Sequence, residues 1–205
     1  MLKSLVVGPV GTNCYILSND AKDCIIVDPG DEAGRISALI DSEKLHVSAI
    51  LLTHGHFDHI GAVNELRAVY ACPVYAGADE EKMLKDPALN SCGFGLGAPI
   101  VIEDVTYLQD EQIICPAGFS IKTLFTPGHT PGGVCYYLEK EGILFSGDTL
   151  FCMSVGRTDF PGGSSSTLIR SIKTKLLPLP DSTKVYTGHG EETDIAFEKA
   201  NNYFL

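Results

Sequence analysis

The chain has 205 residues, of which 44% are hydrophobic, enough to close a sizeable core around one compact unit spanning 1–205. Twenty-six acids against fifteen bases leave a net charge of −11. That disfavours a phosphate backbone or an anionic membrane as partner. Seven cysteines, an odd number with no C-x-x-C pair, sit largely in apolar runs. This pattern suits buried thiols in a reducing compartment, and a cytoplasmic setting is expected. The opening apolar run is cut by Gly8-Pro9 and followed by no cleavage site, so it reads as a strand and turn, and no stretch approaches a membrane-spanning length.

In chain order, Leu2 to Val7, Cys14 to Leu17 and Cys24 to Val27 read as a meander of short strands, ended by Asp28-Pro29-Gly30. Ile36, Leu39 and Ile40 recur at helical spacing, and Val47 to Leu52 is a continuous apolar run typical of a buried strand. A helix over Ile60 to Tyr70, a brief strand at Val74-Tyr75 and a helix over Ala78 to Lys85 follow, and 87–99 is expected to be irregular. Within it, Gly93-Phe94-Gly95-Leu96-Gly97 neither follows a buried strand nor opens a helix, so it reads as a mobile loop near the site instead of a dinucleotide loop. Further strands are expected at Ile121 to Phe125, Val134 to Leu138, Ile143 to Phe145 and Lys184 to Tyr186, with helices over Thr167 to Leu177 and Glu191 to Phe204. The order implies an α/β fold in which two sheets pack face to face with helices outside, each half supplying part of one site.

The chemistry is concentrated directly after the run Val47 to Leu52. Thr53-His54-Gly55-His56-Phe57-Asp58-His59 places three of the six histidines and one carboxylate in six consecutive positions. Burying four such polar groups together is costly without a cation. Residues i and i+2 of an extended segment share a face, so His54, His56 and Asp58 can point one way; Asp58 and His59 project apart unless the chain turns. His129, in Thr-Pro-Gly-His-Thr-Pro-Gly, and His189, in Thr-Gly-His-Gly, each follow an apolar run, and so does Asp148 in Ser-Gly-Asp-Thr-Leu. Five imidazoles and two carboxylates without thiolates suit zinc, with iron or manganese as alternatives. They can hold two divalent ions about 3.5–4 Å apart if one carboxylate bridges, and Asp148 is the natural bridge. His46 lacks such company and is read as a solvated histidine.

The run Thr53 to His59, followed in order by Gly128-His129, Gly147-Asp148 and Gly188-His189-Gly190, resembles the metallo-β-lactamase superfamily with its αββα sandwich. The likeness extends to Gly11-Thr12-Asn13-Cys14-Tyr15 and Val27-Asp28-Pro29-Gly30. It implies that His54, His56 and His129 hold one metal, Asp58, His59 and His189 the other, that Asp148 bridges, and that Asp28 orients a ligand. Gly147 to Phe151 and Gly156-Arg157-Thr158-Asp159 are similar to the short bacterial branch of hydroxyacylglutathione hydrolases, the glyoxalase II group. On that resemblance the chain is expected to lack a separate C-terminal helical substrate domain.

The implied activity is a binuclear metal-dependent hydrolase cleaving a thioester such as S-lactoylglutathione, with a metal-bridging hydroxide as nucleophile. Asp58 orients the nucleophile and carries its proton, Arg157 receives an anionic end of the substrate, and Phe151 and Asp159 are candidate walls. A mononuclear iron persulfide dioxygenase, which shares Gly156-Arg157-Thr158-Asp159-Phe160, and a lactonase are the alternatives. True β-lactamases of the fold are set aside because they carry cysteine where Asp148 stands.

Overall fold

The computed structural model describes residues 1–90 and 99–205. The first sheet runs in the order β1 (Leu2–Val7), β2 (Thr12–Ser18), β3 (Asp23–Val27), β4 (His46–Leu51), β5 (Val74–Gly77), β6 (Val105–Leu108). Its first three strands are antiparallel and the others join in parallel. After the helices α1 (Ala33–Glu43), α2 (Phe57–Ile60), α3 (Val63–Tyr70), α4 (Glu81–Lys85) and α5 (Pro87–Asn90), the second half builds another sheet. It contains β7 (Ile113–Ile114), β8 (Ile121–Phe125), β9 (Val134–Leu138) and β10 (Ile143–Gly147). A hairpin of β11 (Leu150–Phe151) and β12 (Ser154–Val155) intervenes before α6 (Ser165–Ser171), β13 (Lys184–Thr187), β14 (Thr193–Asp194) and α7 (Ile195–Asn201). The second sheet has the order β14-β13-β10-β9-β8-β7.

Alternation along the strands explains the layering. Ile16, Ile26 and Ile50 face a cluster with Ile36, Ile40 and Leu66, the buried stripes of α1 and α3. Their neighbours Leu17, Ile25, Val27 and Leu51 face the other way, onto Ile121, Tyr136, Leu138 and Phe145 of the second sheet. Leu124, Cys135, Tyr137 and Leu144 cover the outer face of that sheet and pack on Leu168, Ile172 and Ile195. Both sheets are thus buried on two faces, giving the αββα sandwich expected from the sequence.

Several boundaries differ from expectation. The helix expected over 60–70 is two, because Ala62 donates its N–H to Pro29 O, and Gly61 lies so close to Gly30 O that a Cβ there would overlap it. Residues 78–85 divide into a 3-10 turn, Ala78–Glu80, and α4. Pro87–Asn90 is helical where irregular chain is expected, Pro87 opening it at a position that needs no N–H. The Gly93 to Gly97 loop lies outside the described residues. β6 and β7 are additional strands, each short and only partly buried. Helix α6 begins after Ser164, whose hydroxyl accepts from Thr167 N, and passes at Ile172–Leu176 into π-helix. The final helix starts four residues later than expected, since Thr193 and Asp194 pair with β13 and the Asp194 carboxylate caps α7 through Phe197 N.

Candidate metal centre

Every candidate donor follows the end of an interior strand of a sheet. β4 ends at Leu51, and the chain continues through His54 and His56 before α2 starts at Phe57. His59 donates its backbone N–H to His56 O, and this turn brings Asp58 and His59 to one place. Their carboxylate and imidazole stand 3.6 Å apart. His129 follows β8, Asp148 follows β10 and His189 follows β13.

The donors form two trios. In one, ring nitrogens of His54, His56 and His129 lie within 4.8 Å of one another; in the other, Asp58, His59 and His189 do the same. Asp148 stands between them: its Oδ2 is 3.5 Å from His129 Nε2 and 3.6 Å from His189 Nε2, and its Oδ1 is 3.3 Å from His59 Nε2. His54 Nε2 and Asp148 Oδ1 are buried without a hydrogen-bond partner among the described residues. Unpaired buried donors and acceptors are costly, and cations held at the two trios would satisfy them.

The outward-facing ring atoms fix the tautomers. Asp28 Oδ2 accepts from His59 Nδ1 at 3.0 Å and from Thr53 Oγ1 at 2.6 Å, while its Oδ1 accepts from Thr53 N at 2.8 Å. With its proton given to Asp28, Thr53 Oγ1 is left to accept from His54 Nδ1 at 3.1 Å. His129 Nδ1 donates to Arg157 O at 2.7 Å, and His189 Nδ1 lies 3.3 Å from Gly11 O. Four imidazoles therefore turn Nε2 inward, and His56 Nδ1 lies at hydrogen-bond distance, 2.9 Å, from His129 Nε2. Ring nitrogens converging in this way are suited to hold metal ions. A third trio, Asp28, His54 and His59, is also close, but the Asp28 oxygens are already occupied by these bonds.

Burial, aided by neighbouring histidines, pushes His54 well below its ordinary pKa and His56 down to about 3. His59 goes the other way. Burial opposes its charge, but the carboxylates of Asp148, Asp58 and Asp28 together hold it well above the usual value. Asp148 is held at about 2 against its own burial by His59, His129 and His189, and Asp58 is lowered similarly by His59 and His189. One side thus offers neutral nitrogens and the other gathers ionised carboxylates, a donor set for metal cations.

Beside the trios opens a cleft of about 600 Å³. Of the residues expected to meet substrate, Phe151 and Arg157 line it, whereas Asp159 is not among its lining residues. Asp159 instead holds Arg157 in a two-pronged pair, Nε to Oδ1 at 2.8 Å and Nη2 to Oδ2 at 2.7 Å. The Arg157 guanidinium also lies 3.8 Å over the Phe160 ring. Val10, Phe57, Val155 and Phe160 make much of the remaining wall apolar.

The family model of the metallo-β-lactamase superfamily matches residues 7–189. The chain belongs to this superfamily. It is 44% identical to the probable metallo-hydrolase YqgX of Bacillus subtilis, over 99% of this chain and 96% of that one. It is 38% identical to the hydroxyacylglutathione hydrolase GloC of Haemophilus influenzae, over 94% and 92%. Among solved structures, the B3 metallo-β-lactamase BLEG-1 superposes with a TM-score of 0.95 at 45% identity, covering 100% of this chain and 99% of its own. TTHA1623 in a di-iron-bound form gives 0.91 at 36%, covering 99% and 100%. The fold and the metal-binding character of the His/Asp cluster are therefore those of a superfamily of metal-dependent enzymes.

Sequence reasoning left several residues of the centre without a role. Thr12 Oγ1 donates to Asp58 Oδ2 at 3.0 Å; Asn13 Nδ2 donates to Thr187 O and Gly190 O, and Tyr15 Oη to Thr187 O at 2.7 Å, holding the His189 loop. Those three lie in the Gly11 to Tyr15 segment, which carried a likeness but no mechanism. Gly156 and Gly188 allow close approach: a Cβ on the first would overlap Asp148 O, and on the second Asp148 Oδ1. Glu80 and Glu198, both fully buried, are acids whose sequence context signals nothing.

Proposed function

We propose that this chain is a binuclear metal-dependent hydrolase acting on a small acyl-thiol, with S-lactoylglutathione or a related thioester as substrate. One observation carries the reading: two complete donor trios share Asp148 at the floor of an open cleft. His54, His56 and His129 would hold one divalent ion, Asp58, His59 and His189 the other, and Asp148 would span both. Zinc suits this nitrogen- and oxygen-rich set, and iron or manganese would also fit; the di-iron form of TTHA1623 supports a pair of ions. When bound, two such ions supply Lewis-acid polarisation of a carbonyl and bring the pKa of water from 15.7 to about 7.

The chain's own residues do the rest. Asp58, ionised and lining the cleft, orients the attacking water and carries its proton towards the departing thiolate, while Thr12 fixes the carboxylate. Phe151, with the other apolar side chains of the wall, seats the acyl portion. Arg157, braced by Asp159, presents its guanidinium to a carboxylate on the substrate. The likeness to GloC supports the thioester. The described cysteines are all free thiols, which supports a reducing, cytoplasmic setting, and no described helix is long and apolar enough to cross a membrane.

A second reading is opening of a β-lactam amide, favoured by the likeness to BLEG-1 along the whole chain even though Asp148 replaces the cysteine expected of such enzymes. The purified protein is to be analysed for metal and assayed with S-lactoylglutathione, with a β-lactam, and with glutathione persulfide under oxygen. Two ions per chain with thioester cleavage, abolished by His54→Ala or Asp148→Ala in a folded protein, is the expected result. Full turnover in either variant, or one iron with oxygen uptake, contradicts the proposal; preference for the β-lactam moves it to the second reading.

A further inference from the structure

Beyond the donors themselves, the region contains a fully buried carboxylate that is not among the residues lining the cleft, and neither the proposed chemistry nor the orienting bonds of Asp28 use it. Glu80 follows β5 and is 0% exposed. Its Oε2 accepts from Gly55 N at 3.0 Å, the peptide between His54 and His56. Its Oε1 accepts from Thr130 Oγ1 and from Gly132 N at 2.9 Å, in the loop that begins at His129. One side chain thus binds two loops that are 25 and about 50 residues away in sequence and that come from different sheets.

The surrounding contacts leave little freedom for that arrangement. A Cβ on Gly77 would overlap Gly132 O, and one on Gly132 would overlap the Asp79–Glu80 peptide, so the segment carrying Glu80 is pressed against the His129 loop. On the opposite side, a Cβ on Gly55 would come within 3.0 Å of Glu80 Oε2. Burying a carboxylate is costly, and among the described residues it is offset by three hydrogen bonds, all donated by the two loops that present His54, His56 and His129.

We infer that Glu80 is the positioning residue for the His54–His56–His129 metal position, setting the distance between the two loops that supply its ligands. It does not line the cleft, and its hydrogen bonds among the described residues go to the backbone of Gly55 and Gly132 and the hydroxyl of Thr130. The inference rests on the binuclear reading proposed above. The other trio, Asp58, His59 and His189, receives no bond from Glu80 among those described.

The test is retention of metal by the holoprotein against increasing concentrations of the chelator dipicolinate, with ions per chain read by elemental analysis and folding by far-ultraviolet circular dichroism. Glu80→Gln turns one acceptor into a donor facing a donor, and Thr130→Val removes one hydroxyl while keeping its shape. We expect one of the two ions to be lost at roughly 10-fold lower chelator in Glu80→Gln and at an intermediate concentration in Thr130→Val. The second ion is expected to leave as in the parent, and Thr130→Ser, which keeps the hydroxyl, to match the parent. A general loss of packing would loosen both ions and would not be rescued by serine.

Parent-like retention of both ions in folded Glu80→Gln overturns the inference and leaves the binuclear reading standing. Should Glu80→Gln fail to fold, Thr130→Val decides: parent-like retention there overturns the inference too. A parent protein that holds no metal overturns the binuclear reading together with this one.

Discussion

At the scale of single residues, Asp28 shows how much of the centre depends on atoms that need never touch a metal. It is buried, has φ of 50°, and distributes its two oxygens among Thr53 N, Thr53 Oγ1 and His59 Nδ1. The left-handed backbone is one that aspartate and asparagine tolerate better than most side chains. Asp28→Asn therefore keeps the turn while removing one acceptor, and metal retention is expected to fall about 10- to 100-fold, measured by chelator competition on folded protein. Unchanged retention would show that the His59 ring is oriented by its packing alone. The same scale explains why the cluster could be read from sequence: His54, His56, His59 and Asp58 are adjacent, and only a shared cation makes burying them together tolerable. His46, read as solvated, has a side chain that is 76% exposed.

At the scale of elements, the wall of the cleft is supported from behind by α7. Glu198 accepts from Met153 N at 3.1 Å and from Thr193 Oγ1 at 2.6 Å, and Asn202 Nδ2 donates both to Glu198 and to Ser154 O. The last helix thereby holds the β11–β12 hairpin, which contributes Phe151, Ser154 and Val155 to the cleft. Glu198→Ala leaves these donors without their acceptor. Stability in urea is expected to drop by about 1–3 kcal/mol, and KM of the substrate to rise with kcat and metal content retained. A fall in kcat at unchanged KM would place the effect elsewhere. This support was not legible beforehand, because one glutamate in a short terminal helix has no distinguishing neighbour in sequence. The break between α2 and α3 was hidden for a similar reason: it depends on Ala62 N–H meeting Pro29 O, a contact made only when the chain has folded back.

At the scale of the whole molecule, the two sheets are joined by packing and by a few polar bonds that cross between them. Tyr136, fully buried on β9, donates its hydroxyl to Leu52 O at 2.9 Å, just beyond the end of β4, where the chain turns into the centre. Tyr136→Phe keeps the ring and loses that bond, so we expect a cost of about 1 kcal/mol in urea unfolding with an unchanged m-value. Leu51→Ala, by contrast, opens the sheet interface and is expected to cost about 2–5 kcal/mol. If the two costs were equal, the crossing bond would rival apolar packing as the link between the sheets.

The sequence by itself determined the layered α/β architecture and the identity of the clustered donors, since strand alternation and the local density of histidine and aspartate are properties of neighbouring residues. It also anticipated the convergence of His129, Asp148 and His189, each placed just after an apolar run. The tertiary structure alone decided which ring nitrogen each histidine turns inward, how Asp148 stands between the trios, and which acids fasten the loops. Those outcomes depend on contacts between segments tens of residues apart, such as Glu80 with Thr130 and Tyr15 with Thr187, and hydrogen-bond geometry of that kind leaves no periodic trace along the chain.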